Sequence, residues 1–203
     1  MKNNYSAWIF MAAVFVISFS VFGVVKWYEN KFTRLPVLVG EGHVIQDYDL
    51  TDHNGKSATD GALENKITVV DFFFTHCPVV CPKMTRSMKR VQQTFSDKEN
   101  LQLLSFTVDP ERDNPERLRD YRKKMDIGRN WTMITGSKKE IYRLARNSFK
   151  IVATDGDGGP DDFIHSELLV LIDKNKQIRG YYNGTIPSEV NDLLRDFQRL
   201  EKE

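Results

Sequence analysis

A mostly apolar run that ends in a pair of cysteines constrains the fold of this chain more than any other feature. Residues 67–74 have the length and composition of a buried β-strand. The segment that follows contains both cysteines of the chain, Cys77 and Cys81. Beyond them, apolar residues recur at helical spacing from Met84 to Phe95. The pattern therefore predicts two thiols at a strand-to-helix junction.

That junction favours reactive or metal-binding thiols. Pro82 lacks a backbone N–H and is well tolerated in a first helical turn, so the helix is predicted to begin near it. Cys77 and Cys81 are then expected in the loop entering the helix, where unpaired backbone N–H groups favour thiolate over thiol. The spacing allows the thiols to form a disulfide or to share one metal ion. A plain local disulfide, or two buried thiols used only for packing, are the alternatives.

Composition excludes several classes of protein. At 203 residues the chain has room for one domain of ordinary size and an appendage. Its 29 basic and 28 acidic side chains nearly balance and form no basic cluster, which argues against nucleic-acid binding. Two cysteines do not make a disulfide scaffold.

The N-terminus carries an uncharged run that is long enough to span a bilayer. We interpret residues 7–25, which follow a short tail at 1–6, as a single transmembrane helix with aromatic residues at both ends. A cleaved signal peptide and a buried helix of a soluble protein are the alternatives. Residues 26–41 are predicted to be a tether, and residues 42–203 the folded domain.

The side of the membrane does not follow from the charges. Basic residues are more frequent after the apolar run than before it, which would place the domain inside. Long domains, however, cross largely regardless of flanking charge. On chemical grounds we expect the domain on the extracytoplasmic, periplasmic side.

Strands and helices are predicted to alternate along the domain and to end in a hairpin and a helix. The order indicates a mixed sheet covered by helices on both faces, as in thioredoxin-like folds. The predicted strands are 44–50, 67–74, 101–108, 131–134, 168–173 and 177–182, and the predicted helices are 82–95, 115–125, 137–149 and 187–200.

Three separated motifs resemble the Sco/SenC family of membrane-anchored copper chaperones. They are Phe-Phe-Phe-Thr-His-Cys-Pro-Val-Val-Cys-Pro at 72–82, Thr-Val-Asp-Pro-Glu-Arg-Asp-Asn-Pro-Glu at 107–116, and Phe-Ile-His-Ser at 163–166. The resemblance runs from about Gly42 to the C-terminus, with the apolar segment in the expected place. It implies a thioredoxin-like domain that binds copper through two thiolates and one histidine.

Carried to this sequence, the resemblance assigns Cys77, Cys81 and His165 as ligands for Cu(I), and for Cu(II) with an added oxygen ligand. His165 directly precedes the predicted strand 168–173, and Asp109, at the end of another strand, is expected to support the site. A structural histidine and a turn residue before Pro110 are the alternatives for these two positions.

The resemblance also implies a binding protein that acts in assembly and not an enzyme with turnover. The implied role is to deliver copper to the dinuclear copper site of cytochrome c oxidase, or to reduce the thiols of that site. The implied partners are the copper-site subunit of the oxidase and a copper donor or thiol reductant. The alternative is an extracytoplasmic thiol–disulfide oxidoreductase acting on other proteins, in which Cys77 and Cys81 form the redox pair.

The remaining histidines and one loop receive other interpretations. His76 is expected to be exposed, or to contact a ligand without binding the metal itself. His43 and His53 are expected to be solvated. Residues 154–162 are acidic and glycine-rich, and we interpret them as a solvated loop. Arg112, Asp113 and Glu116 are expected to form a local ion-pair and helix-cap cluster.

Overall fold

A seven-stranded mixed sheet forms the centre of the domain. The computed structural model describes residues 5–40, 42–151 and 166–203, with side chains described from Trp8 and excluding 28–33. The strands are β1 Asp49–Asp52, β2 Ser57–Thr59, β3 Ile67–Phe73, β4 Leu101–Thr107, β5 Trp131–Thr135, β6 Leu168–Ile172 and β7 Ile178–Asn183. The helices are α1 Tyr5–Thr33, α2 Val80–Thr94, α3 Pro115–Lys124, α4 Lys138–Arg143 and α5 Pro187–Leu200.

The order of strands across the sheet is β2-β1-β5-β4-β3-β6-β7. The central pairs β3–β4 and β4–β5 are parallel, whereas the pairs β1–β2, β1–β5, β3–β6 and β6–β7 are antiparallel. Every residue of β3 is buried, as its mostly apolar composition predicts for a strand covered on both faces. The expected mixed sheet with covering helices is confirmed.

Alternation along β3 divides the core into two layers. Val70 and Phe72 point into a cluster that also contains Tyr142 of α4 and the neighbouring Phe149. Phe73 points to the other face, where its ring lies 5.6 Å from that of Tyr121 in α3. Helices α2 and α5 cover the rest of that second face, and they pack against each other.

Sequence signals fix several helix ends. Asn114 caps α3 by accepting a hydrogen bond from the backbone N–H of Arg117 at 2.9 Å, and Pro115 occupies the first helical position. Helix α5 covers the predicted range 187–200 and places Val190, Leu193, Phe197 and Leu200 in the core. The ring of Phe197 stacks on Phe95 with centroids 4.1 Å apart, which joins α5 to the end of α2.

Two predicted elements are corrected by the structure. The predicted strand 44–50 is irregular until Asp49, although the turn at Asn54–Gly55 does join an antiparallel hairpin and Gly55 has φ +80°. The predicted helix 137–149 is α-helical only to Arg143 and continues as a π-helix, Leu144–Ser148. The wider turn buries Leu144, Ala145 and Ser148, a packing demand that sequence periodicity does not carry.

The N-terminal segment forms a compact unit of its own. Within α1, the 20 residues Trp8–Trp27 have a mean hydropathy of 2.4, so this helix is long and apolar enough to cross a membrane. The predicted boundaries of tail, anchor, tether and domain stay predictions.

Candidate metal and thiol site

The cysteine segment connects the carboxyl end of β3 to the start of α2. The backbone N–H of Cys77 bonds to the carbonyl of Phe74 at 3.4 Å, which turns the chain after the strand. Helix α2 begins at Val80 after an N-cap, Val79, whose side chain makes no capping bond. Pro82 lies in the first turn, as predicted, because its missing N–H would have had no partner there.

The position of Cys81 differs from the prediction. It was expected in the loop, but it lies in the first turn of α2 and is only 4% exposed. Cys77 remains in the loop and is half-buried. Both cysteines are free, and the backbone N–H of Cys81 donates to the Cys77 sulfur at 3.3 Å. The helix terminus therefore presents one accessible sulfur and places the other beneath it.

The two thiols have opposite electrostatic environments. Partial burial raises the pKa of Cys77, but hydrogen bonds from the backbone N–H groups of Cys81, Val79 and Val80 outweigh burial, and the net pKa lies below the usual value. For Cys81, burial dominates and raises the pKa to about 12, with a further contribution from the Cys77 charge. At neutral pH the Cys77 sulfur is thus the more nucleophilic of the two.

Asp113 connects the cysteine loop to two other elements, a role that the sequence did not predict. Its carboxylate is fully buried and accepts bonds from the backbone N–H of Thr75 at 2.9 Å, the hydroxyl of Thr75 at 2.5 Å and the hydroxyl of Thr107 at 2.7 Å. Arg117 lies 3.7 Å from the same carboxylate. The bonds tie the cysteine loop to the end of β4 and the start of α3. The sequence Thr75-His76-Cys77 gives no signal for this, because the acceptor is 38 residues away.

Asp109 lies beside the cysteine loop and faces His76. The Nε2 atom of His76 is 3.6 Å from the Asp109 carboxylate and 2.9 Å from Nη1 of Arg112. Arg112 is itself 3.8 Å from Asp109, so the three side chains form one partly exposed cluster. Among the described residues no hydrogen bond joins Asp109 to either cysteine. The proposed support by Asp109 would therefore act through the residue that precedes Cys77.

The histidines differ in their placement. His165 lies outside the described residues, as does the segment 154–162. His43 and His53 were expected to be solvated, but both are half-buried and hydrogen-bonded. His43 bonds to the carbonyl of Ser148 at 2.8 Å, and His53 contacts the backbone N–H of Met133 at 3.4 Å. Within the ranges 5–40, 42–151 and 166–203, no group of three His, Cys, Asp or Glu residues could hold a metal ion.

A second buried carboxyl group lies on the face of the sheet that α2 covers. Asp71 of β3 is 1% exposed and accepts a hydrogen bond from the hydroxyl of Ser105. The indole N–H of Trp131 donates to the same Ser105 oxygen at 2.8 Å. Burial raises the pKa of Asp71 to about 7. Its position within an apolar strand gave no reason to expect a functional group.

An apolar cavity of about 460 Å³ opens beside the thiols. Aromatic and aliphatic side chains of the strand ends and of the helix entry form most of its wall, and the sulfur-bearing residues form part of it. Ser166 and Glu167, which directly follow His165 in the chain, line the same cavity. The lining residues are Phe72, Phe74, Cys77, Pro78, Val79, Val80, Cys81, Val108, Ser166 and Glu167.

Comparison with known proteins places the chain in a family. Residues 38–200 match the family model described as SCO1/SenC. A SCO1/SenC family lipoprotein from Bacillus anthracis is 30% identical, with a TM-score of 0.70, and the match covers 82% of this chain and 99% of that one.

Two further solved structures are similar. BsSco, described as a Sco-family cytochrome c oxidase assembly protein with a disulfide switch, is 26% identical at a TM-score of 0.68, covering 81% of this chain and 96% of that chain. The copper-bound ScoI of Bradyrhizobium japonicum is 28% identical at a TM-score of 0.60, covering 75% and 98% of the two chains. The predicted thioredoxin-like architecture and the predicted family resemblance are both confirmed. With the matching sequence, fold and paired cysteines at the start of α2, this chain belongs to the SCO1/SenC family.

Proposed function

We propose that this protein binds copper and takes part in assembling the dinuclear copper site of cytochrome c oxidase, with Cys77, Cys81 and His165 as ligands. The observation that carries the proposal is a pair of free thiols, one half-buried in the loop before α2 and one buried in its first turn, with the Cys81 backbone N–H bonded to the Cys77 sulfur. Family membership and the copper-bound relative from Bradyrhizobium support the choice of metal.

The placement of Ser166 supports the third ligand. Ser166, which follows His165 in the sequence, lines the cavity that Cys77 and Cys81 also line. A set of two thiolates and one imidazole is soft and suits Cu(I). It also leaves the ion with few ligands, which suits a cargo that must be released to another protein.

Thiolate chemistry links metal loading to redox state. Copper binding requires both sulfurs to be deprotonated, and ligation must overcome the raised pKa of Cys81. Oxidation of the pair to a disulfide would remove both sulfur ligands. For Asp109 we propose a supporting role, exerted through His76 and Arg112, which orient the start of the cysteine loop.

An anaerobic Cu(I) titration of the full chain in detergent tests this proposal. We expect one Cu(I) per chain, and X-ray absorption should count two sulfur neighbours and one nitrogen neighbour. Cys77→Ala, Cys81→Ala and His165→Ala should each weaken binding by at least about 10-fold. His53→Ala serves as the matched control, because this ring bonds within the hairpin and β5 region. Unchanged affinity in His165→Ala would refute the third ligand.

The pKa of Cys77 is lowered and that of Cys81 is raised, and this difference favours a second candidate function, thiol–disulfide exchange. The Cys77 thiolate would attack a partner disulfide and form a mixed disulfide, with release of one partner thiol. Cys81 would then lose its proton and attack the Cys77 sulfur. The protein would end as the Cys77–Cys81 disulfide and the partner as a dithiol, so two electrons pass to the partner. In this role the protein is a reductase that needs no His165.

One variant distinguishes the two candidate functions. Under the copper proposal His165→Ala loses Cu(I) affinity and, because the cysteines are intact, keeps the rate at which it reduces a disulfide peptide. Copper binding without any reduction of such a peptide would leave delivery as the role. Reduction at full rate with no Cu(I) uptake by the unmodified protein would leave the reductase.

We also propose that the apolar segment anchors the chain and that the domain, residues 42–203, lies on the extracytoplasmic side. The length and hydropathy of Trp8–Trp27 support the anchor. The family member from Bacillus anthracis is a lipoprotein, which supports membrane attachment. A free thiol pair that exchanges with disulfides suits a compartment in which disulfides form.

A further inference from the structure

The exposed side of α2 carries a row of cations that begins next to the thiols. Lys83, Arg86 and Arg90 are all exposed and, at spacings of three and four residues, lie on one face of the helix. Arg90 donates to the neutral side chain of Asn191 at 2.5 Å. Within the described part of the chain, no carboxylate lies within ion-pair distance of these three side chains.

This cationic row borders the cavity at the thiols. Lys83, Arg86 and Arg90 line a shallow depression that they share with Thr185. The hydroxyl of Thr185 bonds at 3.2 Å to the carboxylate of Glu167, which lines the cavity beside the cysteines. The cavity and the row of cations are therefore parts of one continuous surface.

An apolar side chain stands at the thiol end of this surface. Val79, between the two cysteines, is 57% exposed although it is large and apolar. Ile186, which follows Thr185, is 40% exposed. Apolar side chains beside a reactive group, with a row of cations next to them, are typical of a surface that binds a protein partner.

We propose that this surface, defined by Val79, Lys83, Arg86 and Arg90, docks an acidic, thiol-bearing protein segment that receives copper at the site. The proposal rests on the proposed function. Two thiolates around Cu(I) carry a net negative charge, and so does an acceptor that offers two thiolates. Cations on the donor reduce the repulsion between them and steer a partner with carboxylates near its cysteines.

The transfer itself conserves charge and oxidation state. The Cu–S bonds to Cys77 and Cys81 and the Cu–N bond to His165 break as two Cu–S bonds to the acceptor form. The acceptor thiols release two protons, and the two cysteine sulfurs of the donor take up two. Copper remains Cu(I) throughout, so no external oxidant or reductant is needed.

Two synthetic reduced peptides provide the probe. They share one Cys-x-x-x-Cys segment with an apolar residue between the cysteines, and they differ only in flanks of glutamate or lysine. The full chain in detergent is first loaded with Cu(I), and the rate of transfer to each peptide is then measured. At about 20 mM salt the glutamate peptide should receive copper at least about 10-fold faster, and at about 300 mM salt the ratio should approach one.

Charge reversal identifies the surface. The triple variant Lys83→Glu, Arg86→Glu, Arg90→Glu should lose or invert the preference. A triple reversal at the exposed Lys56, Lys139 and Lys174 makes the same change in net charge elsewhere and should keep the preference. Both variants should take up Cu(I) as the unmodified protein does, which shows that folding and the site are intact.

The outcomes separate the two proposals. A chain that takes up Cu(I) but transfers it equally fast to both peptides would overturn the docking surface and leave the proposed function standing. Equal effects of the two triple reversals would also overturn it, because net charge alone would then explain the preference. A chain that takes up no Cu(I) would overturn the proposed function and, with it, this inference.

Discussion

At the scale of single residues, the two sulfurs of the site lie four positions apart in the chain and have different environments. The Cys77 sulfur accepts hydrogen bonds from backbone N–H groups at the start of the helix, whereas Cys81 lies within the helix and is buried. Because the same backbone segment creates both environments, the contrast does not need a charged neighbour in contact with either sulfur. A one-residue shift of the helix start would change both thiols at once.

The contrast predicts selective alkylation. With a limiting amount of iodoacetamide at pH 7 and the protein reduced, Cys77 should be modified at least about 10-fold faster than Cys81, because only its pKa is lowered. Peptide mass spectrometry after digestion measures the ratio. Unfolding in urea is the control, since both cysteines should then react at similar rates. Equal modification in the folded protein would contradict the assigned environments.

Asp71 predicts a pH-dependent stability. Its pKa is raised from the ordinary 3.8 to about 7, so the neutral form is favoured by folding. The stability that this group contributes is fully present below about pH 4 and is lost as the pH rises through 7. Asp71→Asn keeps an acceptor for Ser105 and cannot ionise. The variant should therefore gain stability over the unmodified protein as the pH rises, on the order of 2–4 kcal/mol at pH 8.

Urea unfolding at pH 5 and pH 8 measures this effect. The free energy of unfolding of Asp71→Asn, taken relative to the unmodified protein, should increase between the two values. Asp47→Asn, at an exposed position, should show no such increase. A difference of the same size at both pH values would mean that Asp71 does not titrate between them.

At the scale of elements, the loop before α2 is held by an element that follows it much later in the chain. Asp113 immediately precedes the cap of α3, yet it accepts its hydrogen bonds from Thr75 and Thr107. The loop, the end of β4 and the start of α3 therefore share one buried carboxylate. The hydrogen bonds at this junction therefore restrain the conformation of the cysteine loop, in addition to helix α2.

Replacing this carboxylate should loosen the junction. Asp113→Asn replaces one of the two carboxylate oxygens, which accept hydrogen bonds, with an N–H₂ group that cannot accept them. We therefore expect a loss of about 2–4 kcal/mol in the free energy of unfolding. Urea unfolding measures the loss, and Cu(I) titration of the folded variant should show weaker binding. The exposed Glu116→Gln, three residues further on, is the matched control. A variant as stable as the unmodified protein would show that the carboxylate is not needed at this junction.

At the scale of the whole molecule, the chain combines a folded unit with a long apolar helix. The helix places aliphatic and aromatic side chains on every side, and those of Trp8–Trp27 are not buried inside the protein. An apolar helix of this length in water would be costly to expose, whereas a bilayer accepts it. The length and composition of this helix support the proposed membrane anchor.

The helix predicts firm membrane attachment. The full chain should stay in the membrane fraction after washing with about 1 M salt, which screens electrostatic attachment, and detergent should release it. Val16→Arg together with Phe19→Arg should shift the chain to the soluble fraction, since each central arginine costs about 2.5–3.5 kcal/mol on insertion. Immunoblots of the fractions provide the measurement, with Val37→Arg and Leu38→Arg as the control pair outside the helix. Release by salt alone would contradict the proposed anchor.

The sequence by itself determined the parts of this protein that depend on local pattern. Apolar runs predicted β3 and β4, periodicity and proline predicted α5, and three motifs indicated the family. These signals are local because the alternation of side chains along an element specifies which of its faces will be buried.

Only the tertiary structure decided which polar groups meet inside it. Asp113 was expected in a helix-cap cluster, and Asp71 lies within a mostly apolar run, yet both are buried. His43 and His53 resembled solvated residues, yet both bond to distant backbone groups. Burial of a polar side chain depends on which elements pack together, and contacts between residues far apart in the chain determine that packing. A local pattern shows where an element lies but not which distant group will satisfy its polar atoms.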